Sequence, residues 1–231
     1  MNILKQHKLF LLGSNEAVDA LAKKDCATIL AVSDSHGRPE ILKTILKRFS
    51  SQADALAFLG DGCADLVHIL NNLDSNEDLQ TSLPPVIAMV HGNGDESVFD
   101  VDFYPSEDLN VRTLKAPAAI TFFAAGKNVL VTHGHMFGVY YGTAGLENHA
   151  KISESKLILY GHSHVADISE NNGITFINPG SCSLPRQGLP PSIAEIKIHF
   201  TGEIECTFYE IKASLSEGIK FVPFSPLMRR W

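Results

Sequence analysis

Ala27-Thr28-Ile29-Leu30-Ala31-Val32-Ser33-Asp34-Ser35-His36-Gly37 is the stretch from which the fold can be read. An apolar, β-rich run ends abruptly in Asp, Ser, His and Gly. Such a run is what a parallel strand looks like when both of its faces are buried. Ligands of open α/β sheets bind just beyond the carboxyl ends of these strands. Asp34 and His36 therefore fall where a site would lie, although a helix-capping Asp and a surface His would read the same way. The grammar then recurs four times. Ala55–Leu59 runs into Gly60-Asp61-Gly62, and Val86–Val90 into Gly92-Asn93-Gly94-Asp95. Val129–Thr132 runs into His133-Gly134-His135, and Leu157–Tyr160 into Gly161-His162-Ser163-His164. Five strand ends, each with a metal-competent side chain, are hard to read as separate accidents.

Working outward, Pro39–Phe49 follows as a helix, with Pro39 suited to its first turn and Ile41, Leu42, Ile45 and Leu46 on one face. A second helix is expected near Ala64–Leu73. This β-α-β-α start implies a parallel sheet with right-handed crossovers. Asn71–Pro85 reads as a loop. The pattern from Asp95 to Leu114 is indistinct, with scattered acids. Ala119–Ala125 and Asn128–Thr132 form a hairpin about Gly126-Lys127-Asn128. A helix over Ala144–Ser153 precedes strand Leu157–Tyr160. Val165–Ile168 and Ile174–Ile177 flank a second hairpin at Asn171-Asn172-Gly173, and Asn178-Pro179-Gly180-Ser181 signals a turn. Ile193–Phe200 and Glu203–Ile211 pair across Thr201-Gly202. One α/β domain over 1–231 is expected, with two sheets packed together and helices outside. Residues 1–25 are an extension holding a short amphipathic helix, and 212–231 a tail without a period.

The chain has 231 residues, is 45% hydrophobic and 19% charged, and has a formal net charge of −7. That length supports a substantial core. The negative balance argues against stable nucleic-acid binding and requires a local positive centre to attract any phosphate. Cys26, Cys63, Cys182 and Cys206 are dispersed, which suggests reduced thiols in the cytoplasm rather than a disulfide framework. No apolar run is long enough to cross a membrane. A homodimer or higher homo-oligomer is the expected assembly on general grounds.

Asp34, His36, Asp61, Asn93, His133, His162 and His164 make a set of oxygen and imidazole donors. Seven donors without a thiolate are too many for one tetrahedral zinc. They suit two ions of manganese, iron, cobalt, nickel or zinc type with a bridging carboxylate, an arrangement that recurs in phosphatases and nucleases.

Taken in order, the five motifs resemble those of the calcineurin-like metallophosphoesterase superfamily. Gly92-Asn93-Gly94-Asp95 and Asn178-Pro179-Gly180-Ser181 are most similar to its small bacterial and archaeal phosphodiesterase branch. The motifs cover roughly Ala27–Ser183. The resemblance implies a four-layer α/β/β/α sandwich of two mixed β-sheets. It implies one metal on Asp34, His36 and His164, another on Asn93, His133 and His162, and Asp61 bridging them. A bridging hydroxide would attack phosphorus in line. Two divalent ions are thus expected, Mn2+ first, with Ni2+, Co2+, Fe2+ or Zn2+ as alternatives.

Many members of the superfamily place a general-acid His where this chain has Gly94. His135 is the substitute acid expected here, beside Asp61 in catalysis, although His135 could equally orient a ligand. Asn93 and Arg38 are expected substrate contacts; Arg186, like Arg38, could contact phosphate, with a solvated arginine as the default reading of both. His91 is read as a pocket or surface residue, and Cys63 and Cys182 as small buried residues. Asp95 is expected to hold His133 or His36, or to form a turn. Asn178–Ser181 is expected to turn the chain or offer N–H groups to phosphate. The leading function is metal-dependent hydrolysis of small phosphodiesters. Alternatives are a phosphomonoesterase, a nucleotide pyrophosphatase, or a non-catalytic scaffold such as the small retromer subunit.

Overall fold

This computed structural model describes residues 2–75, 77–102, 113–214, 216 and 218–226. The first half alternates strand and helix. It comprises β1 (Leu11–Leu12), α1 (Asn15–Lys23), β2 (Cys26–Val32), α2 (Pro39–Phe49), β3 (Ala55–Phe58), α3 (Cys63–Asn71), α4 (Glu77–Ser82) and β4 (Val86–Met89). A two-stranded ribbon, β5 (Val98–Asp100) with β6 (Thr113–Lys115), leads to β7 (Ala119–Ala124) and β8 (Lys127–Thr132). Then come α5 (Ala144–Ile152), β9 (Leu157–Tyr160), β10 (Ala166–Asn171) and β11 (Ile174–Pro179). The chain closes with β12 (Ser192–His199), β13 (Ile204–Ser214) and β14 (Gly218–Phe224).

One sheet has seven strands in the order β1-β4-β3-β2-β12-β13-β14, with β2, β3 and β4 parallel and the outer pairings antiparallel. The other has five, β10-β11-β9-β8-β7, with β8, β9 and β11 parallel. The sheets face each other across a shared apolar layer. The first contributes Ala27, Ala31, Ala55, Ala57 and Ala88 there, interleaved with larger residues such as Ile29, Ile196 and Ile198. The second fills the space with Phe122, Val129, Val131, Leu157 and Leu159. Small opposite large lets two sheets pack to interior density.

The first sheet's outer face is covered by α2 and α3, whose Leu42, Ile45, Leu46 and Leu66 are fully buried. Each such side chain contributes about 1.5–3 kcal/mol. Leu146 and Ala150 of α5 cover Leu130, Ile158 and Phe176 of the second sheet. The four-layer α/β/β/α order follows directly. Helix α1, capped where Ser14 Oγ accepts from the Ala17 N–H at 3.0 Å, inserts Val18 and Leu21 into the layer between the sheets. The extension before β2 is thereby part of the core packing.

Three expectations are corrected. Asn71–Pro85 is not all loop, because a 3-10 turn (Leu73–Ser75) and α4 lie within it. Residues after Lys212 are not a structureless tail. β13 runs to Ser214, and β14 pairs antiparallel to it, tucking Phe221 edge-on against Phe49 at 5.0 Å. Asn178 and Pro179 end β11 rather than form a turn, which begins at Gly180. The helix expected at Ala64–Leu73 spans Cys63–Asn71. Residues 103–112 of the acid-scattered stretch, and 227–231 at the end, lie outside the described residues. Among the described residues no helix is long and apolar enough to cross a membrane.

Candidate metal centre

The carboxyl ends of β2, β3, β4, β8 and β9 deliver their loops to one place. Asp34, His36 and His164 bring one donor atom each within 4.8 Å of one another, and Asp61, His133 and His162 do the same. The two trios share an edge. Asp61 Oδ2 lies 3.5 Å from His133 Nε2 and 3.9 Å from His36 Nε2, in opposite groups. Its Oδ1 is held by the Gly94 N–H at 2.8 Å. One oxygen is anchored to backbone and the other faces both trios.

The donors are fixed by carbonyls behind them. His133 Nδ1 lies 2.6 Å from Leu59 O, and His164 Nδ1 lies 2.6 Å from Leu184 O. A carbonyl only accepts, so each Nδ1 carries the proton and each Nε2 points inward as a free donor atom. His36 Nε2 and His164 Nε2 are 3.1 Å apart, and His162 Nδ1 and His133 Nε2 are 3.2 Å apart. Asp34 Oδ1 is buried without a hydrogen-bond partner, 3.1 Å from His164 Nε2. Converging imidazole nitrogens around an unpartnered buried carboxylate oxygen are the donor chemistry of a divalent cation.

Charge is concentrated accordingly. Burial alone would raise the Asp34 carboxyl, yet His164 and His36 hold it well below the usual carboxylate range. Burial likewise opposes ionisation of Asp61, but His133 and the Gly94 N–H prevail and lower it. His36 is raised, chiefly by Asp34. His133 is raised by Asp61 and Asp34 against its own burial. His162 is lowered by burial and by His133.

Five of the seven expected ligands sit in left-handed backbone, with φ of 57° at Asp34, 46° at His36, 51° at Asp61, 68° at His162 and 58° at His164. For non-glycine residues this costs roughly 1–2 kcal/mol each and persists only where surrounding contacts impose it. His36→Gly in chelator should therefore exceed His36→Ala in stability by about 0.5–1 kcal/mol, the usual alanine advantage being reversed by φ. Equal melting of the two variants would show that no strain is stored there.

Two carboxylates hold the loops. Asp95 accepts from the backbone N–H of Asp61 (2.6 Å), Gly62 (2.9 Å), Cys63 (2.9 Å) and Gly92 (2.9 Å). It grips the backbone around Asp61, not the imidazole of His133 or His36. Asp65 Oδ2 accepts from Ser35 Oγ (2.6 Å) and from the N–H of Gly37 (2.9 Å) and Arg38 (3.1 Å). Sequence reasoning passed over Asp65; its only signal is an acid in the first turn of the helix after Gly62. Asn178 Nδ2 donates to Gly161 O at 2.9 Å, and Ser181 Oγ to Asp34 O at 2.7 Å. Asn178–Ser181 thus buttresses two ligand loops.

The remaining expected residues divide. Asn93 is exposed in the turn between Gly92 and Gly94, both of which abut Asp61. A Cβ on Gly92 would lie 2.1 Å from Asp61 Oδ1, so only glycine permits that approach. His135 lies beside the second trio, its ring 5.4 Å from that of His133, with Nδ1 buried and unpartnered. Its pKa is lowered by burial and by His133 and His91. His91 packs on it at 5.7 Å. Arg38 is not drawn into the cluster. Its guanidinium lies 3.7 Å from Glu40, with 60% of the side chain exposed. Cys63 and Cys182 are fully buried, and burial pushes both thiols up.

Residues 28–200 match the model of the calcineurin-like phosphoesterase superfamily domain. A probable metallophosphoesterase of Bacillus subtilis, YsnB, is 32% identical over 160 residues, covering 68% of this chain and 76% of that protein. The phosphodiesterase YfcE of Escherichia coli K12 is 26% identical over 168 residues, covering 71% and 84%. A crystal structure of a predicted phosphoesterase from Streptococcus pneumoniae superposes with TM-score 0.60 at 24% identity, covering 87% of this chain and 99% of that one. Vacuolar protein sorting 29 from Cryptosporidium parvum superposes with TM-score 0.59 at 17% identity, covering 87% and 100%. At these identities the two structures show a shared fold.

Proposed function

The chain belongs to the calcineurin-like phosphoesterase superfamily, and from that premise we propose that it hydrolyses small phosphodiesters with two divalent metal ions bound. The observation that carries the reading is the pair of donor trios joined through Asp61 Oδ2, with Asp34 Oδ1 buried and unpartnered in one of them. Asp34, His36 and His164 would hold one ion, and His133 and His162, with Asn93, the other. When bound, the ions supply Lewis acidity and an activated water as nucleophile. Manganese is the first ion to try.

The chain's own residues do the rest. Leu59 O and Leu184 O keep two imidazoles in the donating tautomer. Asp95 and Asp65 fix the loops that carry Asp61 and His36. His135 is the side chain we assign to protonating the leaving oxygen, since Gly94 offers no side chain for the task. Supporting this, its unpartnered Nδ1 lies beside the His133 trio. A poor leaving group needs that proton most, and general acid catalysis contributes typically 10²–10⁴-fold. The preference for a diester over a monoester is supported by the relative YfcE, which is named a phosphodiesterase.

The test is turnover of bis(p-nitrophenyl) phosphate against p-nitrophenyl phosphate, with protein stripped by chelator and reloaded with manganese. Diester turnover that vanishes on stripping and returns on reloading is expected. No turnover of either ester with two ions bound would overturn the enzyme reading and send the search to protein partners.

A further inference from the structure

Arg186 is built into the rim of this site. Its backbone N–H donates to His164 O at 3.0 Å. The Tyr140 phenol donates to His162 O at 3.1 Å. Arg186 Nη1 in turn donates to the Tyr140 phenol oxygen. Two residues from distant loops thus hold the carbonyls of both histidines of the His-x-His pair, and then each other. The Tyr140 ring lies 4.8 Å from the His162 ring, and the Arg186 guanidinium carbon 5.9 Å from the Tyr140 centroid. The guanidinium is fixed one aromatic ring away from a candidate metal ligand.

That placement matters in a chain of net charge −7. Guanidinium presents five N–H donors in a planar fork that fits phosphate oxygens bidentately. One nitrogen is directed to the phenol, which orients the fork. Tyr140 itself stands on a 3-10 turn, Val139–Tyr141, bounded by Gly138 at φ 64° and Gly142 at φ 121°. Arg38, the other arginine near the motifs, is drawn to Glu40 on the surface.

We propose that Arg186, positioned by Tyr140, is a substrate contact that grips the non-bridging oxygens of the scissile phosphate. The proposal rests on the phosphoesterase reading above. It makes Tyr140 a positioning residue, acting on substrate through the arginine it orients.

The experiment uses the full chain loaded with manganese and inorganic phosphate as probe. Phosphate affinity is measured by calorimetry, bound metal by elemental analysis, and KM and kcat with bis(p-nitrophenyl) phosphate. Arg186→Gln should weaken phosphate binding and raise KM by roughly 10–100-fold, the worth of one or two charge-assisted hydrogen bonds. Bound metal should not change, and kcat should move by less than about threefold, as for an interaction made equally in ground and transition states. Arg186→Lys, with charge but no fork, should recover part of the loss, and Tyr140→Phe should fall between Gln and wild type. Unchanged phosphate affinity and KM in Arg186→Gln would overturn the proposal. So would loss of bound metal, which would reduce the Arg186 side chain to a support, through Tyr140, for His162. Wild-type protein with two ions bound that neither binds phosphate nor turns over the diester would instead overturn the phosphoesterase reading, and this inference with it.

Discussion

Asp61→Ala is expected to lower metal-dependent diester turnover by roughly 10³-fold or more, the several kcal/mol of transition-state stabilisation that a positioned metal supplies. The reason is the position of one oxygen. Asp61 Oδ2 faces His133 Nε2 at 3.5 Å and His36 Nε2 at 3.9 Å, so its loss would remove the one oxygen that both candidate trios share. Truncating any single histidine touches one trio. The variant should fold normally in chelator, because among the described residues the carboxylate's shortest contact is the single Gly94 N–H at 2.8 Å. The check independent of activity is thermal melting with and without manganese. Wild type should gain stability with metal as binding to the native state requires, and Asp61→Ala should gain much less. A variant with near-native turnover, or with an undiminished metal-induced shift, would remove Asp61 from the centre of the site. Gly92→Ala offers a second route to the same atom. Its Cβ would stand 2.1 Å from Asp61 Oδ1 and 2.6 Å from the Asp61 backbone N, displacing the carboxylate together with its loop without deleting it.

The parts of this molecule legible in its sequence share a physical cause. β2, β3, β4, β8 and β9 are buried on both faces, so each reads as an unbroken apolar run with a sharp polar end. That end is where the sheet delivers its candidate ligands. β14 follows another rule. It is an edge strand in which Ile219, Phe221 and Phe224 pack on the core, with Lys220 and Val222 exposed between them, and Pro223 interrupts the propensity. α4 has six residues and buries only Leu79, so its period never becomes visible before Pro84 and Pro85.

The supporting residues were hardest to read. Asp65 and Asp95 act on backbone N–H groups, which leave no trace in the residue types they hold. Asp95 is visible as a polar residue after Gly94, but three of its four partners lie more than 30 positions away on another loop. The Arg186–Tyr140 pair likewise spans 46 positions and depends on where two loops meet. Donor types can be counted along a chain, whereas the contacts that aim them arise only when strands are placed side by side.

Asp95→Ala is the complementary experiment, and it should cost stability where Asp61→Ala does not. One carboxylate accepts four N–H bonds, two on each oxygen, from Asp61, Gly92, Gly62 and Cys63. Asp61, Cys63 and Gly92 are buried, so their donors find no water in exchange. Hydrogen bonds to a charged acceptor stabilise by about 1.5–3 kcal/mol each, but four sharing one acceptor are not additive. A loss of about 3–5 kcal/mol is expected, lowering the melting temperature by roughly 6–20 °C for a chain of this size. Asp95→Asn keeps one accepting oxygen and should fall near midway. Turnover should drop in both variants, because the backbone of Asp61, at φ 51°, loses a clamp that holds it in that conformation. The joint pattern decides the assignment. Melting within about 1 kcal/mol of wild type for Asp95→Ala would mean that the β3 and β4 loop ends stand without the clamp. Full activity in a destabilised Asp95→Ala would mean that Asp61 keeps its place by other contacts. Loss of both together, against Asp61→Ala losing activity alone, would separate the residue that acts on the ions from the one that holds it there.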